Sequence, residues 1–404
     1  MSGSRARVTA ESIAELLAQC SREGRAVSVC GGNTLQGMGR PMEHPHVTLS
    51  TLDLREIVED APADLTIAVQ SGITLRALAT QLARHSTHVP FDAPHAADAT
   101  VGGTLAAGWL GPRRHLYGRP RDFVIGSVAV LADGTIARAG GMVVKNVSGY
   151  DMSRLYVGSF GTLAVLVQVN LKTLAAPGHA RMFHLRLPER TRERALAQLS
   201  RLTVTPSAAF WIHGHHATLD GDDGDEGRMS ILLEGAPTVL ERATRDLRSA
   251  MGSAGVPETY VIDAGARESF ERIVDAYVAC VGERSVTYRI ACFPDDVLPR
   301  VDACSALSGR FELRSDAIVD AMNGDLIFRV NDLDARSFGA KIEMFDDALH
   351  DQEPQAIVIA GNHRSRPLLA VWGAQVDGID KMRALKAQFD PKNILNPGRF
   401  VGGL

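Results

Sequence analysis

Three glycine-containing loops in the first half of the chain have the residue types and spacing to hold an anionic ligand. They are residues 31–34 (GGNT), residues 100–104 (TVGGT) and residues 158–163 (GSFGTL). Because glycine has no Cβ, such loops let backbone N–H groups approach a phosphate closely and adopt a positive φ where it is needed. Three loops of this kind in sequence order predict one extended ligand, and the chemistry they favour is binding of a dinucleotide through its diphosphate.

Two widespread nucleotide-binding motifs do not match these loops. The first loop lacks the GxGxxG spacing and the downstream acidic residue of a Rossmann domain, which disfavours a nicotinamide dinucleotide. No Gly-Lys-Ser or Gly-Lys-Thr closes the glycine run, so the loop is not a P-loop either. The sequence therefore predicts a dinucleotide held by a different fold.

Composition excludes several other functional classes. The chain has 404 residues, 45% hydrophobic and 22% charged, which is enough for two domains with apolar cores. A formal charge of -4 gives no general reason to bind nucleic acid. The first residues have no apolar signal region and no later segment is long and apolar enough to span a bilayer, so we expect a cytoplasmic protein without a transmembrane segment. The five scattered cysteines predict neither disulfides nor a zinc or iron–sulfur site.

Local patterns predict an α+β fold. Apolar residues at helical spacing follow Thr9, a typical N-cap residue, and Gly24 is a helix stop signal. Asp133-Gly134 between short apolar runs predicts a hairpin, and residues 163–172 alternate as in a half-buried strand. A last short helix is expected over residues 379–389.

The glycine loops stop at a Pro-Gly pair at residues 177–178, which predicts a domain boundary. We expect residues 1–176 to form the ligand-binding domain. Alternating strand-like and helix-like segments over residues 177–370 predict a compact sheet-plus-helix cap domain, and residues 371–404 are expected to return to the first domain.

The loops and their flanks together resemble a known family. Residues 143–151 (VVKNVSGYD), residues 389–391 (FDP) and residues 396–398 (NPG) join the three loops in a pattern similar to the vanillyl-alcohol-oxidase-type, or PCMH-type, FAD-binding family. Residues 145–155 are most similar to the FAD-binding E subunit of glycolate oxidase complexes. The resemblance covers about the first 175 residues and the last 20. It implies a two-subdomain FAD-binding domain with an α+β cap.

The resemblance also implies a set of FAD-binding residues. They are Gly31, Gly32, Asn33, Thr34, Asp92, Pro94, Thr100, Val101, Gly102, Gly103, Thr104, Lys145, Asn146, Gly149, Tyr150, Gly161, Thr162 and Leu163. Family members often carry a histidine in the first loop for covalent flavin attachment, and this chain has Asn33 there. We therefore expect noncovalent FAD, with Cys30 as a small apolar strand residue.

Oxidation of a hydroxy acid by a flavin needs a base for the hydroxyl proton and a cation for the carboxylate. The candidates are His363 as base and Arg289 or Arg364 as anchor. No metal site is expected, because His213, His215 and His216 lack a further ligand nearby and the acidic run at residues 220–227 misses the calcium-loop spacing.

Three functional hypotheses follow. The leading one is a FAD-binding subunit of a glycolate or 2-hydroxy-acid oxidase complex that passes electrons between a partner flavoprotein subunit and an iron–sulfur subunit, cytoplasmic or attached peripherally to the inner membrane through those partners. The alternative is a self-sufficient FAD-dependent oxidase or dehydrogenase of a small hydroxy acid or alcohol. A third is a flavin-bearing assembly subunit without turnover.

Overall fold

The computed structural model describes residues 8–42, 45–143, 150–214, 227–256, 258–279, 284–332, 337–361, 367, 369–374 and 376–404. Within these ranges the α-helices are α1 (Ala10–Glu23), α2 (Leu75–Ala83), α3 (Val101–Ala107), α4 (Arg114–Tyr117), α5 (Met152–Tyr156), α6 (Arg192–Leu199), α7 (Pro237–Ser253), α8 (Ala266–Ala276), α9 (Val297–Arg310), α10 (Phe338–Gln352) and α11 (Ile379–Phe389). None of these helices has the length and apolar character that crossing a membrane requires.

The strands in the same ranges are β1 (Val27–Cys30), β2 (Val47–Ser50), β3 (Ile57–Ala61), β4 (Thr66–Gln70), β5 (Thr87–His88), β6 (Val124–Leu131), β7 (Ile136–Gly140), β8 (Ala164–Lys172), β9 (Leu174–Ala175), β10 (His179–Leu187), β11 (Ala208–His213), β12 (Gly227–Gly235), β13 (Glu258–Ile262), β14 (Ser285–Ala291), β15 (Arg314–Asp320), β16 (Asp325–Asn331) and β17 (Ile357–Gly361).

The chain divides into two compact units. The first unit comprises residues 1–110, 119–176 and 376–404, and the second comprises residues 111–118 and 177–375. The C-terminal segment therefore lies in the same unit as the glycine loops. The short segment Gly111–Gly118 is part of the second unit, although it comes from the first half of the chain.

The first unit is built on an antiparallel sheet of five strands in the order β3-β4-β8-β6-β7. Strands β1 and β2 form a separate parallel pair, with Val27 opposite Val47 and Cys30 opposite Ser50. The core between α1 and these strands contains Leu17, Val27 and Val165 from the first half of the chain. Ile394 and Leu395 from the C-terminal segment are buried in that same core. The pairing places the first glycine loop directly after β1.

The local predictions for this unit are confirmed. Helix α1 begins after Thr9, whose side chain accepts the Ser12 N–H in a capping box, and Gly24 ends the helix with φ 66°. Strands β6 and β7 form the predicted hairpin, where Gly134 has φ 90°. Helix α11 has the predicted bounds. Each of these features depends on residues close together in the sequence, which is why local patterns identify them.

The second unit is built on an antiparallel sheet of eight strands in the order β13-β10-β12-β11-β15-β16-β14-β17. One face of its strands is apolar and contributes Trp211, Ile231, Tyr288 and Phe328 to a large core. Helices α6, α7, α9 and α10 contribute the other side of this core. Because successive side chains of a strand point to opposite faces of the sheet, every second side chain packs against these helices.

The other face of the central strands, opposite the apolar core, carries buried charged side chains. Arg329 pairs with Asp316 on the neighbouring strand, with 3.0 Å between Nε and Oδ1. Arg289 on β14 forms an ion pair with Asp325 on β16. Arg114 also contacts Asp325, at 2.8 Å, and Asp320 at 3.5 Å. Arg329, Arg289 and Arg114 are therefore each paired with a carboxylate, which offsets part of the cost of burying them.

The segment Gly111–Gly118 is fixed to the second unit by specific polar contacts. Arg113 forms an ion pair with the buried carboxylate of Glu234 at 3.1 Å. The His115 ring lies 2.8 Å from the carbonyl oxygen of Pro206, and Asn323 donates to the carbonyl oxygen of Pro112 at 2.7 Å. Together with the Arg114 contacts, these bonds make the segment an integral part of the second unit.

We predict that Asp320 makes the second unit less stable as pH rises. Burial raises the pKa of this carboxyl group from 3.8 to about 7, although Arg114 opposes the shift. The folded state therefore binds the proton more tightly than the unfolded state, so its stabilising effect is present below pH 4 and is lost as pH rises toward 7. Urea unfolding at several pH values gives the free energy of unfolding as a function of pH. Asp320→Asn should reduce the fall of this free energy between pH 4 and 7, by at most about 4 kcal/mol. The same dependence of unfolding free energy on pH in wild type and in Asp320→Asn would contradict the prediction.

Candidate functional site

An open cavity in the first unit is formed by segments far apart in the sequence. It encloses about 500 Å³, including the space at its opening. Its walls come from the loop after β1, from helix α3 and the residue before it, from the turn at Phe160 and from the C-terminal segment. The lining residues are Val29, Cys30, Gly31, Gly32, Asn33, Thr34, Leu35, Gln36, Thr100, Gly103, Thr104, Ala106, Ala107, Phe160, Asn396 and Arg399.

The loop after β1 presents a row of backbone donors to this cavity. Among the hydrogen bonds of the described residues, none uses the backbone N–H groups of residues 31–35. Residues 31–35 are partly or fully exposed, so their N–H groups are open to an external acceptor, which is water or a bound anion. Asn33 in the middle of the row has φ 60°. A left-handed residue next to right-handed ones is one way in which a loop turns successive N–H groups toward an anion.

Thr104 adds a side-chain donor to the same cavity. Its hydroxyl is buried, and no described residue forms a hydrogen bond with it. The neighbouring Thr100 differs, because its hydroxyl accepts the Gly103 N–H at 3.1 Å and so caps helix α3. An orphaned buried hydroxyl is unfavourable by about 1–3 kcal/mol. Thr104 is therefore a second sign that a polar ligand completes this cavity.

The glycines at positions 31 and 32 are required by contacts inside the protein. A Cβ on Gly32 would lie 1.8 Å from the carbonyl oxygen of Asp98, and a Cβ on Gly31 would lie 2.3 Å from Oγ1 of Thr100. The first and second glycine loops thus touch through these positions. The glycines serve the ligand indirectly, because this close packing brings the two sets of cavity residues together.

Three lining residues other than glycine have left-handed backbone. Their φ values are 60° at Asn33, 54° at Phe160 and 40° at Asn396. This conformation is uncommon outside glycine and is found preferentially where surrounding structure fixes a functional geometry. The Phe160 ring stacks on Phe400 with 5.7 Å between centroids, which supports the turn from the C-terminal side.

The structure brings together one part of the predicted FAD-binding set. Seven of its residues line the cavity, namely Gly31, Gly32, Asn33, Thr34, Thr100, Gly103 and Thr104. Another group is buried and is not part of this lining, namely Asp92, Pro94, Val101, Gly102, Gly161, Thr162 and Leu163. Tyr150 is 95% exposed. Lys145, Asn146 and Gly149 lie outside the described residues. The roles of all these residues in binding stay predictions.

Sequence reasoning missed several lining residues. Asn396 and Arg399 approach from the C-terminal segment, and Phe160 from a turn that was noted only for its glycines. The Asn-Pro-Gly pattern at residues 396–398 could have drawn attention to Asn396, since it contributes to the family resemblance. Nothing in the local pattern indicates that the side chain of Arg399 reaches the cavity.

The catalytic candidates lie elsewhere or outside the described residues. Arg289 is buried on β14 in its ion pair with Asp325, whereas His363 and Arg364 lie outside the described part of the chain. His213 stands at the end of β11, close to the Trp211 ring, and His215, His216 and most of the acidic run are not described. Among the described residues no group of His, Cys, Asp or Glu could hold a metal ion.

Cys30 lies at the cavity as a weak nucleophile. Burial raises the pKa of its thiol, and this effect is opposed by hydrogen bonds with Ser50 and Asn33 and by the positive charge of Arg399. Because the thiolate is the reactive form of cysteine, a raised pKa disfavours covalent bond formation at neutral pH.

Two family descriptions match the chain. The family described as "FAD binding domain" matches residues 7–140, and the family described as "FAD linked oxidases, C-terminal domain" matches residues 372–400. Both matched segments contribute to the cavity, the first through the glycine loops and the second through Asn396 and Arg399.

Curated proteins that are similar to the chain include two glycolate oxidase subunits. The chain is 34% identical over 235 residues to glycolate oxidase subunit GlcE of Escherichia coli (strain K12), a match covering 56% of the chain and 64% of that protein, which is less than two thirds of its length. It is 25% identical over 424 residues to glycolate oxidase subunit GlcD of Bacillus subtilis (strain 168), a match covering 96% of the chain and 87% of that protein.

A solved structure supports the fold. An alkyldihydroxyacetonephosphate synthase superposes with a TM-score of 0.70 at 15% identity, and the match covers 96% of the chain and 74% of that protein. At this identity the likeness shows the architecture alone. It confirms the predicted α+β fold.

We predict that Gly32→Ala abolishes ligand binding and destabilises the first unit. The added methyl group would collide with the backbone of Asp98, which cannot move as a flexible side chain would, so we expect a loss of about 1–3 kcal/mol or more in the free energy of unfolding. Gly141→Ala is the matched control, because no atom lies within 4 Å of the place its methyl group would take. Thermal unfolding and flavin content measured on both variants test this. Equal behaviour of the two variants would show that the contact at Gly32 is unimportant.

Proposed function

We propose, from the premise that this chain is an FAD-linked oxidoreductase of the PCMH type with FAD as its cofactor, that it acts as the FAD-binding subunit of a glycolate or 2-hydroxy-acid oxidase complex. In this function it passes electrons through noncovalently bound FAD from a partner flavoprotein subunit to an iron–sulfur subunit. The observation that carries the binding part is that residues 31–35, whose N–H groups have no acceptor among the described residues, line one cavity together with Thr104, whose buried hydroxyl also has no such partner.

These donors fit the diphosphate of FAD. A diphosphate carries two negative charges and many acceptor oxygens, and the described lining residues present N–H and O–H donors without a carboxylate. Residues 31–35 and Thr104 would hold the diphosphate. When bound, FAD supplies a two-electron acceptor, while the chain's own residues orient it and keep its charge neutralised.

Noncovalent attachment is supported by two residues. Asn33 stands where family members with a covalent link often carry histidine, and an amide nitrogen is not nucleophilic. Burial raises the pKa of the Cys30 thiol, so that side chain is mostly protonated at neutral pH. Neither residue therefore offers a reactive atom to the flavin.

A subunit role is supported by the charges in the second unit. The similar protein at 34% identity, GlcE, is a subunit of glycolate oxidase. A chain that oxidises hydroxy acids by itself needs a cation for the substrate carboxylate, but Arg289 and Arg329 are already paired with Asp325 and Asp316. Breaking a buried pair to bind a substrate would leave an uncompensated carboxylate, which is strongly unfavourable.

A second candidate is a self-sufficient FAD-dependent oxidase or dehydrogenase of a small hydroxy acid or alcohol. It is favoured by the 27% identity over 97% of the chain to a D-lactate dehydrogenase of Archaeoglobus fulgidus, whose name does not describe it as a subunit. In that case His363 would act as base and Arg289 or Arg364 would bind the carboxylate. Arg289 would then have to exchange its bond with Asp325 for one with the substrate.

The partners set the cellular location in the leading proposal. A soluble partner flavoprotein and an iron–sulfur subunit would keep the complex in the cytoplasm, and contact of those partners with the inner membrane would make the attachment peripheral. A nucleic-acid partner is not part of this proposed function.

The deciding experiment is an anaerobic visible spectrum of the purified chain with glycolate or either enantiomer of lactate. We expect the flavin band to stay oxidised with the chain alone, and to bleach when the chain is isolated with its partners by an affinity tag. Bleaching in the lone chain would favour the self-sufficient enzyme. If the flavin of the complex stays oxidised with glycolate and with both enantiomers of lactate, the result would contradict both candidate functions.

We predict that acid precipitation releases all of the flavin into the supernatant. The reason is that Asn33 and the protonated Cys30 form no bond with it. The absorbance of pellet and supernatant measures the outcome directly. Flavin retained in the pellet would disprove noncovalent attachment.

A further prediction concerns the Thr104 hydroxyl. Thr104→Val keeps the side-chain volume and removes the orphaned oxygen, so the protein without FAD should be as stable as wild type or more stable. FAD affinity should fall about fivefold, the effect of one lost hydrogen bond. Thr173→Val is the matched control, since its hydroxyl is also buried and unpaired among the described residues but does not line the cavity. FAD titration and thermal unfolding distinguish the two variants, and an unchanged affinity in Thr104→Val would exclude contact with the ligand.

A further inference from the structure

The charge of the cavity comes from its C-terminal wall. Among the described residues that line it, Arg399 carries the charged side chain and the others are neutral. Its guanidinium group acts on the Cys30 thiol across the cavity, where it opposes the rise in pKa that burial causes. The glycine loops supply donors without a formal charge, so a ligand with two negative charges would find its balancing cation on the opposite segment.

Hydrogen bonds of its backbone and of its side chain hold Arg399 in place. Its N–H donates to the carbonyl oxygen of Asn396 at 3.2 Å, and its carbonyl oxygen accepts the Arg40 N–H at 3.1 Å. The guanidinium group also reaches the carbonyl oxygen of Met38 at 3.4 Å. Residues 38–40 follow directly after the glycine loop. Arg399 is thus attached to the continuation of the loop whose N–H groups it faces.

Asn396 fixes the start of this turn. Its Oδ1 accepts the Val29 N–H at 2.8 Å, and its Nδ2 donates to the carbonyl oxygen of Phe160 at 2.7 Å. Its backbone N–H donates to the carbonyl oxygen of Val27 at 2.9 Å. One buried amide therefore joins the C-terminal segment to β1 and to the turn at Phe160, and little freedom remains for the residues that follow.

We propose that Arg399 binds the diphosphate of FAD from the C-terminal side of the cavity, opposite the N–H groups of residues 31–35. The inference rests on the proposed FAD binding and adds the residue that neutralises the ligand's charge. A guanidinium group suits this task, since its planar donors match two phosphate oxygens at once and it stays protonated at every physiological pH.

The test compares three flavins on protein stripped of its cofactor. Wild type, Arg399→Met and Arg399→Lys are titrated with FAD, FMN and riboflavin, and flavin fluorescence gives each Kd. Arg383→Met is the control, because Arg383 lies on the same C-terminal segment, is 57% exposed and does not line the cavity.

For Arg399→Met we expect FAD affinity to fall about tenfold or more, as for the loss of a charge-assisted hydrogen bond, with riboflavin affinity within about twofold of wild type. The decrease of FAD affinity with rising salt should also become shallower. Arg399→Lys should recover part of the loss, and Arg383→Met should resemble wild type.

Equal weakening of FAD and riboflavin by Arg399→Met, with an unchanged salt dependence, would show that the side chain only supports the fold and would overturn the inference. Unchanged FAD affinity would overturn it as well. If Arg399→Met does not fold, Arg399→Lys and Arg399→Gln give the same comparison of the three flavins. Failure of the wild-type chain to bind any flavin would instead count against the proposed function itself.

Discussion

A buried ammonium group holds the cavity of the first unit together. Lys386 is 5% exposed, and its Nζ donates to the carbonyl oxygen of Thr162 at 2.9 Å, to Asp390 at 2.7 Å and to the carbonyl oxygen of Leu395 at 2.9 Å. Asp390 in turn accepts the N–H groups of Ile394 and Leu395. All three donors of the ammonium group are thus satisfied, which is the condition under which a buried ion pair is tolerated. Burial lowers the pKa of Lys386, and the bond to Asp390 opposes that shift.

This interaction explains why residues 367 positions apart, Val29 and Asn396, are joined in one site. The ammonium group ties the strand that begins after Thr162 to the C-terminal turn, and Asn396 in that turn reaches β1 and Phe160. The glycine loops touch each other through the contact of Gly32 with Asp98. The cavity is therefore surrounded by elements that hydrogen bonds within the protein join to one another. Such preorganisation reduces the entropy lost on binding.

Sequence patterns predicted the parts of the molecule that depend on neighbouring residues. The cap at Thr9, the hairpin at Gly134 and helix α11 were found because short-range rules govern them. The first two glycine loops were recognised as candidate binding loops, and the contacts of Gly31 and Gly32 add a packing requirement that the sequence pattern does not indicate. Arg399 was missed, because its position follows from long-range contacts that leave no periodic trace. The same reason applies to the segment Gly111–Gly118, whose partners are Glu234, Asp320 and Asp325.

The buried charges of the second unit bear on whether its polar strand face can bind an anion. The strand face that carries Arg289 and Arg329 has the cations that bind a carboxylate, yet each has its own aspartate partner. Replacing Asp325 or Asp316 by a neutral residue would free a guanidinium group in a buried setting, where it would either bind an anion or destabilise the unit. The aspartates therefore decide whether this face is a structural element or a binding surface. In this sequence Asp325 and Asp316 are both present, and each forms an ion pair with an arginine of this face.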